Sequence, residues 1–94
     1  MVEQVMHKHS FDYEGATTAI YHANKGQGLP QHSHSYRHVT YCASGRCMIR
    51  TEHAGEFEIT PENQPIEFSE GKWHEIEALE DNTVFVNVFG VGKY

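Results

Sequence analysis

Turn-forming residues interrupt this chain at short intervals, and nothing between them has the length or the periodicity of a helix. The breaks fall at residues 14–15, 24–30, 44–45, 54–55, 61–65, 70–71 and 80–82, each built from Gly, Pro, Asn, Asp, Ser or Glu-Gly pairs. The stretches between them are short and rich in β-branched and aromatic residues. Strands are expected at 2–7, 17–22, 38–43, 46–52, 56–60, 66–68, 74–79 and 83–89. Short strands at this spacing, with no helix between them, make an all-β chain that closes into a small antiparallel sandwich or barrel. Ser44-Gly45 reads as a two-residue hairpin turn, which would set Cys42 opposite Cys47.

The chain has 94 residues, expected to form one domain over 1–94. A core of this size is marginal on its own, so a metal, a disulfide or a second subunit is expected to support it. The balance of 7 Lys+Arg against 13 Asp+Glu gives a net charge of −6, which argues against a nucleic-acid partner. No apolar run is long enough to cross a membrane, and the N-terminal residues have neither the basic start nor the apolar stretch of a signal peptide. Two cysteines are too few for a secreted disulfide scaffold, and a cytoplasmic setting is expected.

Histidine is the anomaly, with 8 residues in 94. Four have a pattern. On a strand, residues two apart share a face, so His32 and His34 present two imidazoles side by side, and His38 has the same parity. His74 leads a strand whose inward face would be His74, Ile76 and Ala78, with Glu75 and Glu77 outward. A histidine on an apolar face needs a polar partner there, and a metal would be one. His7 and His9, His22, and His53 beside the Ala54-Gly55 turn lack such surroundings and are expected to be exposed.

These residues carry a resemblance. Gly26, five residues, His32-Ser33-His34, three residues, His38, six residues and Gly45 resemble the first cupin motif at every spacing, with His38 where most cupins have Glu. Over 63–78 the second cupin motif is degenerate: Gly71 and His74 match, while Asn63, Ser69 and Ala78 replace its Gly, Pro and Asn. The resemblance implies a cupin-type jelly-roll barrel with His32, His34, His38 and His74 as ligands of one divalent transition metal, Fe, Mn, Ni, Cu or Zn. Four neutral imidazoles would leave the site at +2, where three and a carboxylate would leave +1, so the bound ion would be the stronger Lewis acid.

If His38 points inward, parity sends Thr40 and Cys42 inward too, with Cys47, Ile49 and Thr51 facing them. Tyr36, Thr40, Cys42, Cys47, Ile49 and Ile76 are therefore candidates for the wall of a small-molecule pocket. Tyr36, Arg37, Tyr41, Arg50 and Trp73 are candidates for its mouth. By analogy with the family, the leading function is a dioxygenase-like oxidoreductase. A non-redox isomerase or cyclase, a metal- or metabolite-binding module, and a purely structural metal are the alternatives. The segment 84–89 is apolar on both faces, which with the small core and the habit of the family points to a homodimer.

Overall fold

The computed structural model describes residues 2–90. It contains ten strands and no helix: β1 Glu3–Gln4, β2 His7–Tyr13, β3 Ala16–Ala23, β4 Gln27–His32, β5 His38–Ser44, β6 Cys47–Thr51, β7 Glu56–Ile59, β8 Ile66–Phe68, β9 His74–Ala78 and β10 Thr83–Gly90. They form two five-stranded sheets, one ordered β1-β4-β9-β6-β7 and the other β2-β3-β10-β5-β8. All pairings are antiparallel except the short β1–β4 pair. From β7 onward the chain changes sheet at every connection, and it does so from β3 to β6 as well. The two sheets therefore build one interior between them, a jelly roll.

Each strand sends alternate side chains into that interior. Along β9, His74, Ile76 and Ala78 are buried while Glu75 and Glu77 are partly exposed. Ala19, Tyr21, Cys42, Cys47, Ile49, Ile59, Phe68, Ile76, Phe85 and Phe89 form one continuous core. The two outer faces differ. On the first sheet Arg50 pairs with Glu56, Glu75 and Glu77, and Arg46 with Glu58 and Glu80. On the second, Val84, Val86 and Val88 of β10 lie beside Ile20 and Thr18 of β3 and Tyr41 and Val39 of β5.

Three sequence expectations change. Residues 44–45 do not close a hairpin, because β5 and β6 lie in different sheets. Cys42 pairs with Phe85, and Cys47 with Ile59 and Ala78, so the cysteines meet across the interior, not along a ladder. Gly45 sits at this corner with φ +80°, and a Cβ there would run into Thr83. The corner thus needs glycine for the same backbone reason a tight hairpin would.

The second change is at 24–30, expected as a break, where β4 runs through Gly28 and Pro30. Proline cannot donate to a ladder, and strands hold it at bulges. The β4–β9 register shifts between Leu29 and His32, around Pro30, and resumes with His32 opposite His74. Likewise, the expected strand 2–7 is only the two-residue β1, and the chain then crosses to the other sheet as β2.

Gly28 lies against the backbone of β9, where an added Cβ would collide with the Ile76 carbonyl. Gly28→Ala should lower stability by about 1–3 kcal/mol, because backbone and not a flexible side chain must yield. Equilibrium denaturation checks this, and an unchanged midpoint would show that β4 and β9 are not held this closely.

Candidate metal centre

The ends of three strands bring four histidines together. His32 closes β4, His38 opens β5 and His74 opens β9, while His34 lies in the connection between β4 and β5. That connection is tied down by the Gly71 N–H, which donates to the His34 carbonyl at 2.7 Å. A turn glycine just before His74 therefore fixes the loop that carries His34. Ligand nitrogens of His32, His34 and His74 lie within 4.8 Å of one another and could hold a metal ion. His38 Nε2 is 3.1 Å from His74 Nε2, and its ring centre is 5.2 Å from that of His34. Phe68 stacks on His74 at 4.3 Å and Tyr36 on His34 at 4.7 Å, which limits how the rings can turn.

Hydrogen bonds assign the tautomers. The Thr40 hydroxyl donates its one proton to Asn87 Oδ1 at 2.6 Å, so its oxygen accepts from His38 Nδ1–H at 3.3 Å. A neutral imidazole has a single N–H, which leaves His38 Nε2 with a lone pair. His32 Nδ1 lies 2.6 Å from the Pro30 carbonyl, an acceptor only, so His32 Nε2 also presents a lone pair. His74 completes the argument. If its Nε2 donates to His38, its buried Nδ1 is a bare acceptor; if it does not, two lone pairs face each other at 3.1 Å. Among the described residues no hydrogen bond reaches His74 Nδ1. Either arrangement is costly in a buried site, and a cation accepting the inward lone pairs removes the conflict at Nε2. The residues present fit a metal ion.

The electrostatics agree with that fit. Burial, reinforced by His34 and His32, lowers the His38 pKa to about 4. Burial, reinforced by His32, His38 and His34, lowers that of His74 to about 3. His34 is lowered too, by burial and then by His32. Imidazoles that stay neutral are ready to ligate.

The histidines open onto a cavity of about 320 Å³. His32, His34 and His38 line it with Leu29, Pro30 and Phe89, and its polar groups are Gln4, Gln31, Tyr21, Tyr36 and Asn87. Of the expected wall residues, Tyr36 is in the lining. Thr40 lies behind it, bonded to His38 and Asn87. Cys42, Cys47, Ile49 and Ile76 do face inward, but they pack in the core and not on the cavity. Cys42 and Cys47 are free thiols, and burial pushes both up and keeps them protonated. The expected mouth residues disperse. Arg50 is paired on the outer face of the first sheet, Tyr41 lies opposite Val86 on the outer face of the second, and Arg37 is exposed beside Glu67 at 3.8 Å. Trp73 borders a second cleft of about 180 Å³ with Glu52, Glu67 and Lys72, and His74 lines this cleft, not the cavity of the other three histidines. His7, His9, His22 and His53 are exposed.

Sequence reading did not find Tyr21, Asn87, Gln4 or Phe89. Asn87 carried a signal, as the one amide in the apolar run 84–89.

No family model matches the sequence, and neither does any curated protein. Solved structures do. KdgF from Halomonas sp. superposes with a TM-score of 0.77 at 14% identity, over 88% of this chain and 77% of that one. A cupin superfamily protein from Desulfitobacterium hafniense gives 0.77 at 11% identity, over 97% and 81%. A variant of oxalate decarboxylase from Bacillus subtilis gives 0.79 at 19% identity, over 99% of this chain but 27% of that one. At these identities the likeness is one of fold, and the fold is that of the cupins.

The lowered histidine pKa values give the metal-free protein an acid limit. His38 and His74 protonate near pH 4 and 3 when folded, against an ordinary 6.5 when unfolded. Below pH 6.5 the unfolded chain therefore binds more protons, so stability falls as the pH drops toward 4. Denaturant midpoints of the metal-free protein from pH 8 to 4 should be level above about 6.5 and decline below it. A His74→Asn variant that declines as steeply as the parent would assign the effect elsewhere.

Proposed function

Taking the cupin fold as the premise, we propose that this chain is a metal-dependent enzyme for a small molecule. In this reading His32, His34, His38 and His74 hold one divalent transition metal. The observation that carries the reading is the tautomer conflict: two buried imidazole nitrogens 3.1 Å apart, with the lone pair of one fixed by Thr40. Imidazole donors suit Zn, Cu, Fe and Ni, and Mn(II) centres are described for oxalate decarboxylase, whose fold this chain shares.

Bound there, such an ion supplies Lewis acidity and, if redox-active, electron transfer to or from substrate and dioxygen. The chain's own residues do the rest. Thr40 and the Pro30 carbonyl hold the His38 and His32 rings in one tautomer, so the donor set needs no rearrangement. Leu29, Pro30 and Phe89 exclude water from the cavity walls. Tyr36, stacked on His34, borders the site, and burial keeps its hydroxyl protonated. Among the described residues no carboxylate lines the cavity, so a proton needed by the reaction comes from a tyrosine or histidine, or from water.

The leading reaction class is a dioxygenase-like oxidoreductase. The protonated tyrosines favour a second reading, an isomerase or cyclase in which they move a proton without redox change. Stoichiometric oxygen uptake by the iron-loaded protein with substrate supports the first, and turnover without oxygen the second.

Two further readings belong with this one. The free, buried cysteines support a reducing, cytoplasmic setting. The contrast between the ion-paired outer face of the first sheet and the apolar outer face of the second supports a homodimer. In that dimer the partly exposed Val84 and Val88 would meet a second copy, with the half-exposed Phe11 at the border.

Elemental analysis of untagged protein should find about one transition metal ion per chain, and a His32→Ala/His34→Ala variant should lose most of it. Metal in the variant at the parent's level, or its loss in His7→Ala instead, would refute the site. Because burial lowers the pKa values of His34, His38 and His74, affinity should persist below pH 6.5, where an ordinary imidazole protonates, and fall as the pH approaches 4, where His38 takes up a proton. For the dimer, Val88→Lys should shift the sedimentation of the protein from two copies to one, and a parent that sediments as a monomer would remove this face from the account.

A further inference from the structure

Beyond the histidines the cavity has a second polar wall, built from strands that sequence reading did not connect to the site. β10 lies between β3 and β5, which sets Asn87 beside Ala19 on one side and Thr40 on the other. Asn87 is 5% exposed, Thr40 0% and Tyr21 7%. Asn87 Oδ1 is taken by the Thr40 hydroxyl at 2.6 Å. Its amide N–H is then left to face the Tyr21 hydroxyl, and the Asn87 side chain acts to lower the Tyr21 pKa against burial and Tyr36, as a donor to that oxygen would. The Tyr21 oxygen accepts from Asn87, so its own O–H is left to donate. The ring is fixed on one side by Phe85, stacked at 4.9 Å, and Lys8 Nζ lies 5.8 Å from its centroid. Tyr21 and Asn87 both line the cavity that the histidines line.

The chain of bonds thus runs from His38 Nδ1–H to Thr40, from Thr40 to Asn87, and from Asn87 to Tyr21. It orders every donor and acceptor along its length and ends in one unspent proton.

Charge narrows what that proton can meet. Among the described residues no Lys, Arg, Asp or Glu lines the cavity, and Lys8 is not part of its lining. Both cavity tyrosines are kept protonated by burial. A substrate with one anionic group at the histidine cluster meets the charge of a bound ion. A second anionic group at the Tyr21 wall would be desolvated with no charged side chain in the lining to meet it, since Lys8 Nζ, 5.8 Å from the Tyr21 ring centre, stands outside the lining.

We propose that the Tyr21–Asn87 wall is a second substrate subsite, in which the Tyr21 hydroxyl donates a hydrogen bond to an uncharged oxygen acceptor, a carbonyl or ether oxygen, on a small substrate whose other end sits at the histidine cluster. Asn87 and Thr40 are positioning residues for that donor. The subsite rests on the metal-centre reading above. The substrate class is then a small molecule with one metal-binding head, at most singly charged, and a neutral oxygen at the far end.

The test uses zinc-loaded protein and hydroxamic acids of one head group, with one to three methylenes ending in a methyl, a carboxamide or a carboxylate, titrated by calorimetry. At one of these lengths the carboxamide should bind about tenfold tighter than the methyl compound in the parent, the effect of one well-placed hydrogen bond. Tyr21→Phe keeps the ring on Phe85 and removes only the donor. It should lose that preference while binding the methyl compound within about twofold of the parent, and Tyr36→Phe should keep the preference. The carboxylate should bind more weakly than the carboxamide. The subsite is overturned if no carboxamide is preferred at any length, if Tyr21→Phe retains the preference, or if the carboxylate binds best. Zinc content and methyl-hydroxamate binding are measured first on the same samples. A parent that takes up no zinc, or binds the methyl compound no better than the His32→Ala/His34→Ala variant, refutes the metal centre itself and the subsite with it.

Discussion

The structure depends on burying two imidazoles whose inward nitrogens have only each other as protein partners. His38 and His74 are 3% and 2% exposed, and their Nε2 atoms lie 3.1 Å apart. In a barrel of this size such an arrangement would be a liability unless something with positive charge occupied the space between the rings. The surroundings fix the rings in place. Phe68 and Tyr36 hold ring planes, Thr40 and the Pro30 carbonyl choose tautomers, and Gly71 secures the loop of His34. The bulge around Pro30 returns the β4 register so that His32 faces His74 across the ladder. Position, tautomer and protonation state all agree with a metal donor set.

The same interior has two chemical halves. One is the histidine half, from β4, β5 and β9. The other, from β3 and β10, carries Tyr21, Asn87 and Phe89. Thr40 joins them, with one bond to His38 and one to Asn87. Substituting Thr40 would therefore disturb both halves at once, although it touches neither cavity nor solvent. The outer faces differ as well: that of the first sheet carries the Arg46 and Arg50 ion pairs, and that of the second the valines of β10.

Much of the site was legible in the sequence, because strand parity and fixed spacing are local properties. His74, Ile76 and Ala78 alternate inward as expected, and the spacing of His32, His34 and His38 between Gly26 and Gly45 carried the likeness to cupins that the fold then displayed. What was not legible depended on which strands become neighbours. Ser44-Gly45 has the chemistry of a hairpin turn, yet the positive φ of Gly45 serves a corner between sheets equally well, and only the placement of β5 and β6 in different sheets tells the two apart. Gly28 and Pro30 read as a break, but β1 and β9 flank that segment and recruit it as a strand. Tyr21 and Asn87 are distant in sequence from every histidine of the cluster, and β10 brings them to the cavity by lying between β3 and β5.

The central claim is that four imidazoles converge on one ion. X-ray absorption at the metal edge of the zinc- or cobalt-loaded protein tests it most directly, since ordered imidazole rings give a distinctive outer-shell scattering. The account predicts a shell of nitrogen donors best fitted by four histidines at ordinary metal–nitrogen distances of about 2.0–2.2 Å, reduced to three in His38→Ala. A spectrum of oxygen donors with no imidazole scattering, or one unchanged by His38→Ala, would contradict it.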